Sequence, residues 1–302
     1  MPICEADPWR MQYFEDVACP PDIRISTEDA DSWMWFPAHR WIYDKLAVAL
    51  SQGLDAAPHG VIPPRFPVFS KPIMNLRGMG TGSRVIDTEA DYKAALTPGH
   101  FWSTLLTGRH ISSDVALVNG TPRWWRHAEG AVTPGGTFDH WHLHAAPIAE
   151  VEDWCNAWAA NHLAGYTGMA NFETIGGRII EAHLRFADQW PDLYGKGWVE
   201  ALVGLYTDGE WRFPDTDRTD GYSVVLFAPH GRLYRHPPAE LVAAVRAMED
   251  VSSVQITFHE GRDPAQHAMP PGGFRVAIVN ARTLEAGRAA RERLRGAIIV
   301  GG

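Results

Sequence analysis

The 302-residue sequence is poor in cysteine, carries no basic excess and contains no long apolar run. Cys4, Cys19 and Cys155 are scattered and none sits in a Cys-x-x-Cys pair, which excludes a disulfide framework and makes the reducing cytoplasm the expected compartment. With 27 basic against 36 acidic residues and a net charge of −9, the chain would repel a phosphate backbone. No basic cluster offsets that repulsion, so no nucleic-acid partner is expected. Apolar runs such as 224–228 fall far short of the roughly 20 residues needed to span a bilayer, and the opening MPICEADPWR lacks a basic stretch leading into an apolar core. Neither a membrane partner nor export is expected.

What the sequence does have is 45% apolar and 11% aromatic residues, the composition of a globular protein, and about twice the length of a typical domain. No repeat and no low-complexity tract appears. The 13 Trp and 14 His admit two uses, a ligand site or an aromatic core with polar tips. Core is the expected use of Trp124, Trp125, Trp141, Trp154 and Trp158.

Along the chain, residues 1–36 show no steady period and read as irregular or edge structure. Pro37 followed by Ile42, Leu46 and Leu50 predicts one amphipathic helix ending at Gly53. A proline loop leads to a strand over 68–71 and the glycine-rich stretch 77–83. Thr88 and Asp91 resemble a capping box for a helix to about Leu96. Strands over 101–106 and 114–118, a turn at Asn119-Gly120 and a returning strand over 123–127 follow, then a helix carrying Ile148, Val151, Cys155, Trp158 and His162 on one face. A second hairpin, 169–175 with 178–183, turns at Gly176-Gly177. Beyond Trp190, helices over 198–206, 238–248 and 284–294 alternate with strands over 222–228, 254–258 and 274–280. Hairpins mixed with helices imply an α+β architecture and not a doubly wound nucleotide fold.

Three constellations could carry chemistry. Lys71 precedes Gly78, Gly80 and Gly82, and successive N–H groups of a glycine loop beside a lysine make an anion-binding concavity. Its order differs from a Walker A loop, and a plain flexible turn is the alternative. On the second hairpin, Glu181, His183 and Arg185 share a strand face. A two-residue loop at Gly176-Gly177 would pair Glu173 with Ile180 and leave the two glutamates on opposite faces. A three-residue loop would pair Glu173 with Glu181 directly, and only that register makes a metal site, suited to Mg²⁺ with substrate phosphates. The alternative is an edge of solvated acids. The third is His140, His142 and His144, whose alternation points three imidazoles to one side as a candidate zinc or iron site, or simply to solvent.

Taken in order, the pieces resemble the ATP-grasp superfamily over roughly residues 40 to 300. Asp44-Lys45-Leu46 with its short helix is similar to the family's opening helix; Phe66-Pro-Val-Phe-Ser-Lys71-Pro72 resembles the strand that presents a phosphate-binding lysine; Gly78 to Gly82 match the mobile lid loop. Leu105-Leu106-Thr107-Gly108 through Asp114 and Asn119-Gly120 is similar to the hinge bordering the adenine pocket. Phe172-Glu173 and Ile179-Ile-Glu181-Ala-His183-Leu-Arg185-Phe186 resemble the two metal-carrying strands, and residues 274–286 the closing strand and helix. The resemblance implies an ATP-grasp fold of two α+β lobes gripping a nucleotide: a short N-terminal lobe (1–63), a lid subdomain (64–106) and a C-terminal lobe with the metal strands (107–302).

It further implies an ATP-dependent ligase, forming carbon–nitrogen or carbon–sulfur bonds through an acyl phosphate. ATP and Mg²⁺, with Mn²⁺ as the alternative ion, are the implied cofactors, and a small carboxylate and a nucleophile the implied substrates. Lys71, Arg77, Gly78, Gly80, Gly82 and Leu106 would contact the nucleotide, Glu173, Glu181 and His183 the metal, and Arg185 and Lys71 the reacting groups. His183 stands where the family usually has Asn, which leaves the second metal position altered or absent. The short N-terminal lobe leaves room for a homodimer or a partner protein. A non-catalytic nucleotide-binding relative and a metalloenzyme on His140, His142 and His144 are the two competing readings.

Overall fold

The computed structural model describes residues 3–5, 7–76 and 78–300. It divides into two compact units, each drawn from separated stretches: Glu28–Trp125 with Ile148–Phe186, and Met1–Thr27 with Arg126–Pro147 and Ala187–Gly302.

In the first of these units an antiparallel ladder runs from the edge strand Arg178–His183 through Gly168–Ile175 and His110–Val118 to the opening residues of Thr121–Thr133. The helix Ala149–His162 covers one face. Its Val151, Cys155, Trp158 and Ala159 pack with Val115, Leu117, Phe172, Ile179 and Ala182 in one apolar core, alongside Ile42 and Val48. Side chains alternate along a strand, so burying Phe172 and Ala182 sends their neighbours Glu173 and Glu181 to the other face. The same unit holds a four-stranded sheet in the order Ala56–Pro58, His100–Thr104, Val68–Pro72, Arg84–Ile86, with Val68, Ile86, Tyr92 and Trp102 as its own small core. The helix Glu89–Ala94 beside it starts as the capping box predicts, Thr88 Oγ1 accepting from Asp91 N at 3.1 Å.

Two local expectations need correction. The helix expected from Pro37 to Leu50 is broken in two: a 3₁₀ turn, Arg40–Tyr43, and an α-helix, Lys45–Ser51. Asp44 divides them, because its carboxylate accepts from Ala47 N at 2.9 Å and so acts as an N-cap, which places Lys45 at the first helical position. Residues 1–36 are not all irregular, since Asp29–Trp35 is helical. At seven residues and without a side-chain cap it leaves almost no periodic signal.

In the second unit Arg126–Thr133 continues the long strand into an antiparallel sheet with Thr137–His144, Gly221–Ala228, Phe274–Ala281 and Val251–Ile256 in that order. The helix Leu284–Arg295 lies so close to this sheet that a Cβ on Gly287 would come within 2.6 Å of Val224 Cγ2. No described helix is long and apolar enough to cross a membrane.

Candidate active site

The decisive local feature is a β-bulge. Gly176 and Gly177, at φ +55° and +76°, form the two-residue turn that the sequence signals, and they pair Ile175 with Arg178 and Thr174 with Ile179. The register then shifts by one residue, so that Glu173 faces Glu181, Phe172 faces Ala182 and Asn171 faces His183. Ile180 is the extra residue. The opposed carboxylates that a three-residue loop was expected to supply therefore arise with a two-residue loop plus a bulge. The bulge has a second consequence: Lys71 Nζ donates to the Ile180 carbonyl at 2.6 Å.

Around the two acids lies a cluster of ionisable groups. Lys45 Nζ is 2.6 Å from Glu181 Oε1, and the lysine is only 7% exposed. His110, two residues along the neighbouring strand from Ser112, which lies opposite Glu173, places Nε2 3.1 Å from Glu173 Oε2. Asn171 Nδ2 donates to Asp114 Oδ1 at 2.6 Å and to Ser112 Oγ at 2.9 Å. Burial raises the Glu173 carboxyl, but the hydrogen bond and charge of His110, with His183 and Lys45 behind them, outweigh it and hold the group well below its ordinary range. Burial pushes the Lys71 ammonium down to about 8, against the opposing pull of Glu181. Lys45 drives in the same direction as burial, since two ammonium groups share one acidic cluster.

Arg185 is anchored from behind. Its Nε reaches Asp29 Oδ1 at 2.8 Å and its Nη2 reaches Asp29 Oδ2 at 3.2 Å, while Nη1 donates to Phe186 O at 3.1 Å. His183 Nδ1 meets the same Asp29 Oδ1 at 2.9 Å, and its Nε2 lies 3.9 Å from Glu181 Oε1. A cation held about 2.1 Å from each of two ligands sets them about 3 Å apart when adjacent and about 4.2 Å when opposed, and the 3.9 Å Glu181–His183 spacing falls between the two. Among the described residues Glu173, Glu181 and His183 do not close into a three-ligand group, Glu181 being drawn to Lys45 and Glu173 to His110 instead.

The other expected nucleotide contacts occupy the same unit. Gly78, Gly80 and Gly82 all have positive φ, as does Met79, in the segment after the Lys71 strand. Nothing lies within 4 Å of a Cβ on Gly78 or Gly80, whereas one on Gly82 would come within 3.1 Å of His100 Nε2. Arg77 lies outside the described residues. Leu106 is half-buried in the irregular segment after Thr104.

No protein-family model matches the sequence, and no curated protein does. Solved structures do match. L-amino acid ligase from Bacillus licheniformis shares 12% identity at a TM-score of 0.61 over 88% of this chain and 73% of its own. Phosphoribosylamine–glycine ligase from Thermotoga maritima shares 13% at 0.63, over 96% and 86%. Carboxyaminoimidazole ribonucleotide synthase from Aspergillus clavatus, complexed with ATP, shares 11% at 0.58, over 88% and 74%. The chain has the ATP-grasp fold.

Within this ATP-grasp fold, Asp29, Lys45, His110 and Asn171 escaped the sequence reading as site residues. Asn171 and His110 were within reach of it, since both follow from strand parity once Glu173 is fixed. Lys45 and Asp29 come from separate helices, and nothing in their local sequence marks them.

The strand Thr137–His144 does not gather its histidines on a shared partner. His140 Nδ1 meets Asp139 Oδ2 at 3.0 Å, His144 Nε2 meets Glu129 Oε2 at 3.2 Å, and His142 Nε2 lies 3.2 Å from Asp220 Oδ2 but outside hydrogen-bonding geometry. The His142 ring stacks on Tyr222, centroids 4.6 Å apart. Among the described residues these three imidazoles form no metal-holding group, as Glu173, Glu181 and His183 do not, so the expected zinc or iron site gains no support.

Proposed function

We propose that this chain is an ATP-dependent ligase that activates a carboxylate as an acyl phosphate for attack by an amine or other nucleophile. The observation carrying this reading is the bulge-set register that opposes Glu173 and Glu181 in a cluster with two buried lysines. A carboxylate lacks a usable leaving group. Transfer of the γ-phosphoryl of ATP to its oxygen releases ADP, and attack of the nucleophile at the acyl carbon then expels phosphate. The protein's task is positioning and charge neutralisation.

Lys71 and Lys45 would bear on the nucleotide phosphates, and the loop with Gly78, Gly80 and Gly82 would supply backbone donors over them, with Arg77 as a further phosphate contact. Leu106 would border the adenine. Glu173, Glu181 and His183 would hold Mg²⁺ or Mn²⁺, which when bound neutralises phosphate charge. Arg185, held in place by Asp29, would steady the acyl phosphate. The short lobe 1–63, the lid 64–106 and the C-terminal lobe 107–302 remain the proposed partition, the lid resting on the strands Val68–Pro72 and Arg84–Ile86 and the helix between them and His100–Thr104. The substrates would be a small-molecule carboxylate and a nucleophile.

The test is release of ADP and phosphate across a panel of acids and amines or thiols. Release that requires both co-substrates is the expected result. A second reading, nucleotide binding without ligation, is favoured by one observation, the Lys45–Glu181 ion pair, which already satisfies a carboxylate meant for a metal. Metal-dependent nucleotide binding without turnover across the panel would select it.

A further inference from the structure

Resting on the ligase reading above, we propose that Asp29 is a positioning residue: it locks His183 in the tautomer whose Nε2 lone pair faces Glu181, so that an imidazole joins the carboxylates around the site's divalent cation.

Asp29 and His183 are each 4% exposed at the side chain, and Nδ1 is 2.9 Å from Oδ1. Arg185 spans both carboxylate oxygens and always donates, so Asp29 here can only accept. The hydrogen between Asp29 and His183 therefore belongs to Nδ1. In the neutral ring Nε2 is left with its lone pair, and Nε2 points to the side of Glu181, whose oxygen at 3.9 Å is too distant to be a hydrogen-bond partner. Asp29 is thus the carboxylate behind a histidine ligand, the arrangement that fixes ring orientation and raises ligand basicity at metal centres.

The scaffold around the pair is fastened to the same strand end. Ser32 Oγ, one turn along the Asp29 helix, donates to Leu184 O at 3.0 Å. Leu184 N donates to Tyr43 Oη at 3.1 Å, and the Tyr43 ring stands edge-on to His183 with centroids 6.3 Å apart. Asp29 cannot swing away without breaking both Arg185 contacts. An imidazole added to carboxylates favours Mn²⁺, the softer of the two ions, over Mg²⁺, which prefers oxygen alone.

The test follows Mn²⁺ by electron paramagnetic resonance during titration into the full chain, with Mg²⁺ as competitor. Binding of an ATP analogue is measured in parallel by calorimetry without added metal. Asp29→Asn, whose amide can donate to Nδ1 and force the proton to Nε2, is expected to weaken Mn²⁺ about 10- to 100-fold. His183→Asn is expected to shift preference towards Mg²⁺ and to abolish the effect of Asp29→Asn. Long-range ¹H–¹⁵N spectra of wild type, with His183 assigned through His183→Asn, are expected to show a protonated Nδ1 and a bare Nε2, which keeps the test independent of how Asp29→Asn folds. A proton on Nε2, Mn²⁺ affinity unchanged in Asp29→Asn, or an equal loss in the His183→Asn background each overturns the assignment while leaving analogue binding intact. Wild type that binds neither analogue nor Mn²⁺ overturns the ligase reading and this inference together.

Discussion

Two stretches of this chain carry alternating ionisable residues, and they end differently. On the strand Thr137–His144 each histidine faces its own carboxylate, Asp139, Asp220 or Glu129, and although the His142 and His144 rings lie 4.2 Å apart the three converge on no single acid. On the hairpin 168–183 a single extra residue, Ile180, brings acids from two strands into register beside His183 of the same hairpin, and Lys45, Lys71 and His110 from other segments close on them. Alternation on one strand makes a row; a site needs the register of a second strand and donors from outside the sheet.

The largest expected effect breaks the second arrangement at its centre. Glu181→Gln removes one charge while keeping shape, and we expect co-substrate-dependent ADP release to fall about 10²-fold or more, on the scale of losing one preorganised electrostatic contact. His142→Ala, the matching change in the row, is expected to leave that rate within about twofold, since a surface ion pair contributes at most about 1 kcal/mol. Equal losses in the two variants would erase the comparison.

Next comes Lys71. Its ammonium must be charged to hold phosphate, and it loses its proton near pH 8 in the free protein, so affinity for an ATP analogue should weaken roughly tenfold or more as pH rises through that value. Stability moves the other way. Below about 8 the folded state bears a buried charge that the unfolded state solvates; above it the folded state sheds the proton first, and stability rises until the ordinary lysine value of 10.5 is passed. Lys71→Arg should flatten both profiles, which isothermal calorimetry and urea unfolding across pH would read.

A smaller effect sharpens the role of the turn. Gly177→Ala meets open space and should cost only the strain of a left-handed backbone, about 1 kcal/mol. Gly176→Ala adds a Cβ that would sit 2.4 Å from Thr107 O, so its loss in urea unfolding should exceed that of Gly177→Ala. Equal costs would show that the turn does not press on the 105–109 segment.

Much of this was legible. The two-glycine turn, the strand carrying Lys71, the capping box at Thr88 and the parity of Glu181 and His183 follow from local chemistry, and the structure repeats them, whereas Arg185 lies past the strand's end at His183. The bulge was not, although its trace is there: Ile179 and Ala182 are both buried in the same core while lying three apart on a strand, which only an extra residue allows. Lys45 and Asp29 were hidden for another reason. Each sits at the first position of a seven-residue helix, and their meeting with residues more than a hundred positions away is a matter of tertiary packing that no local pattern encodes.

The most direct test of the central claim is calorimetric titration of a non-hydrolysable ATP analogue into wild type and a Glu173→Gln/Glu181→Gln double variant, with and without Mg²⁺. We expect saturable binding by wild type that tightens with Mg²⁺, and no Mg²⁺ enhancement in the double variant. Identical Mg²⁺ enhancement in both proteins would contradict the account.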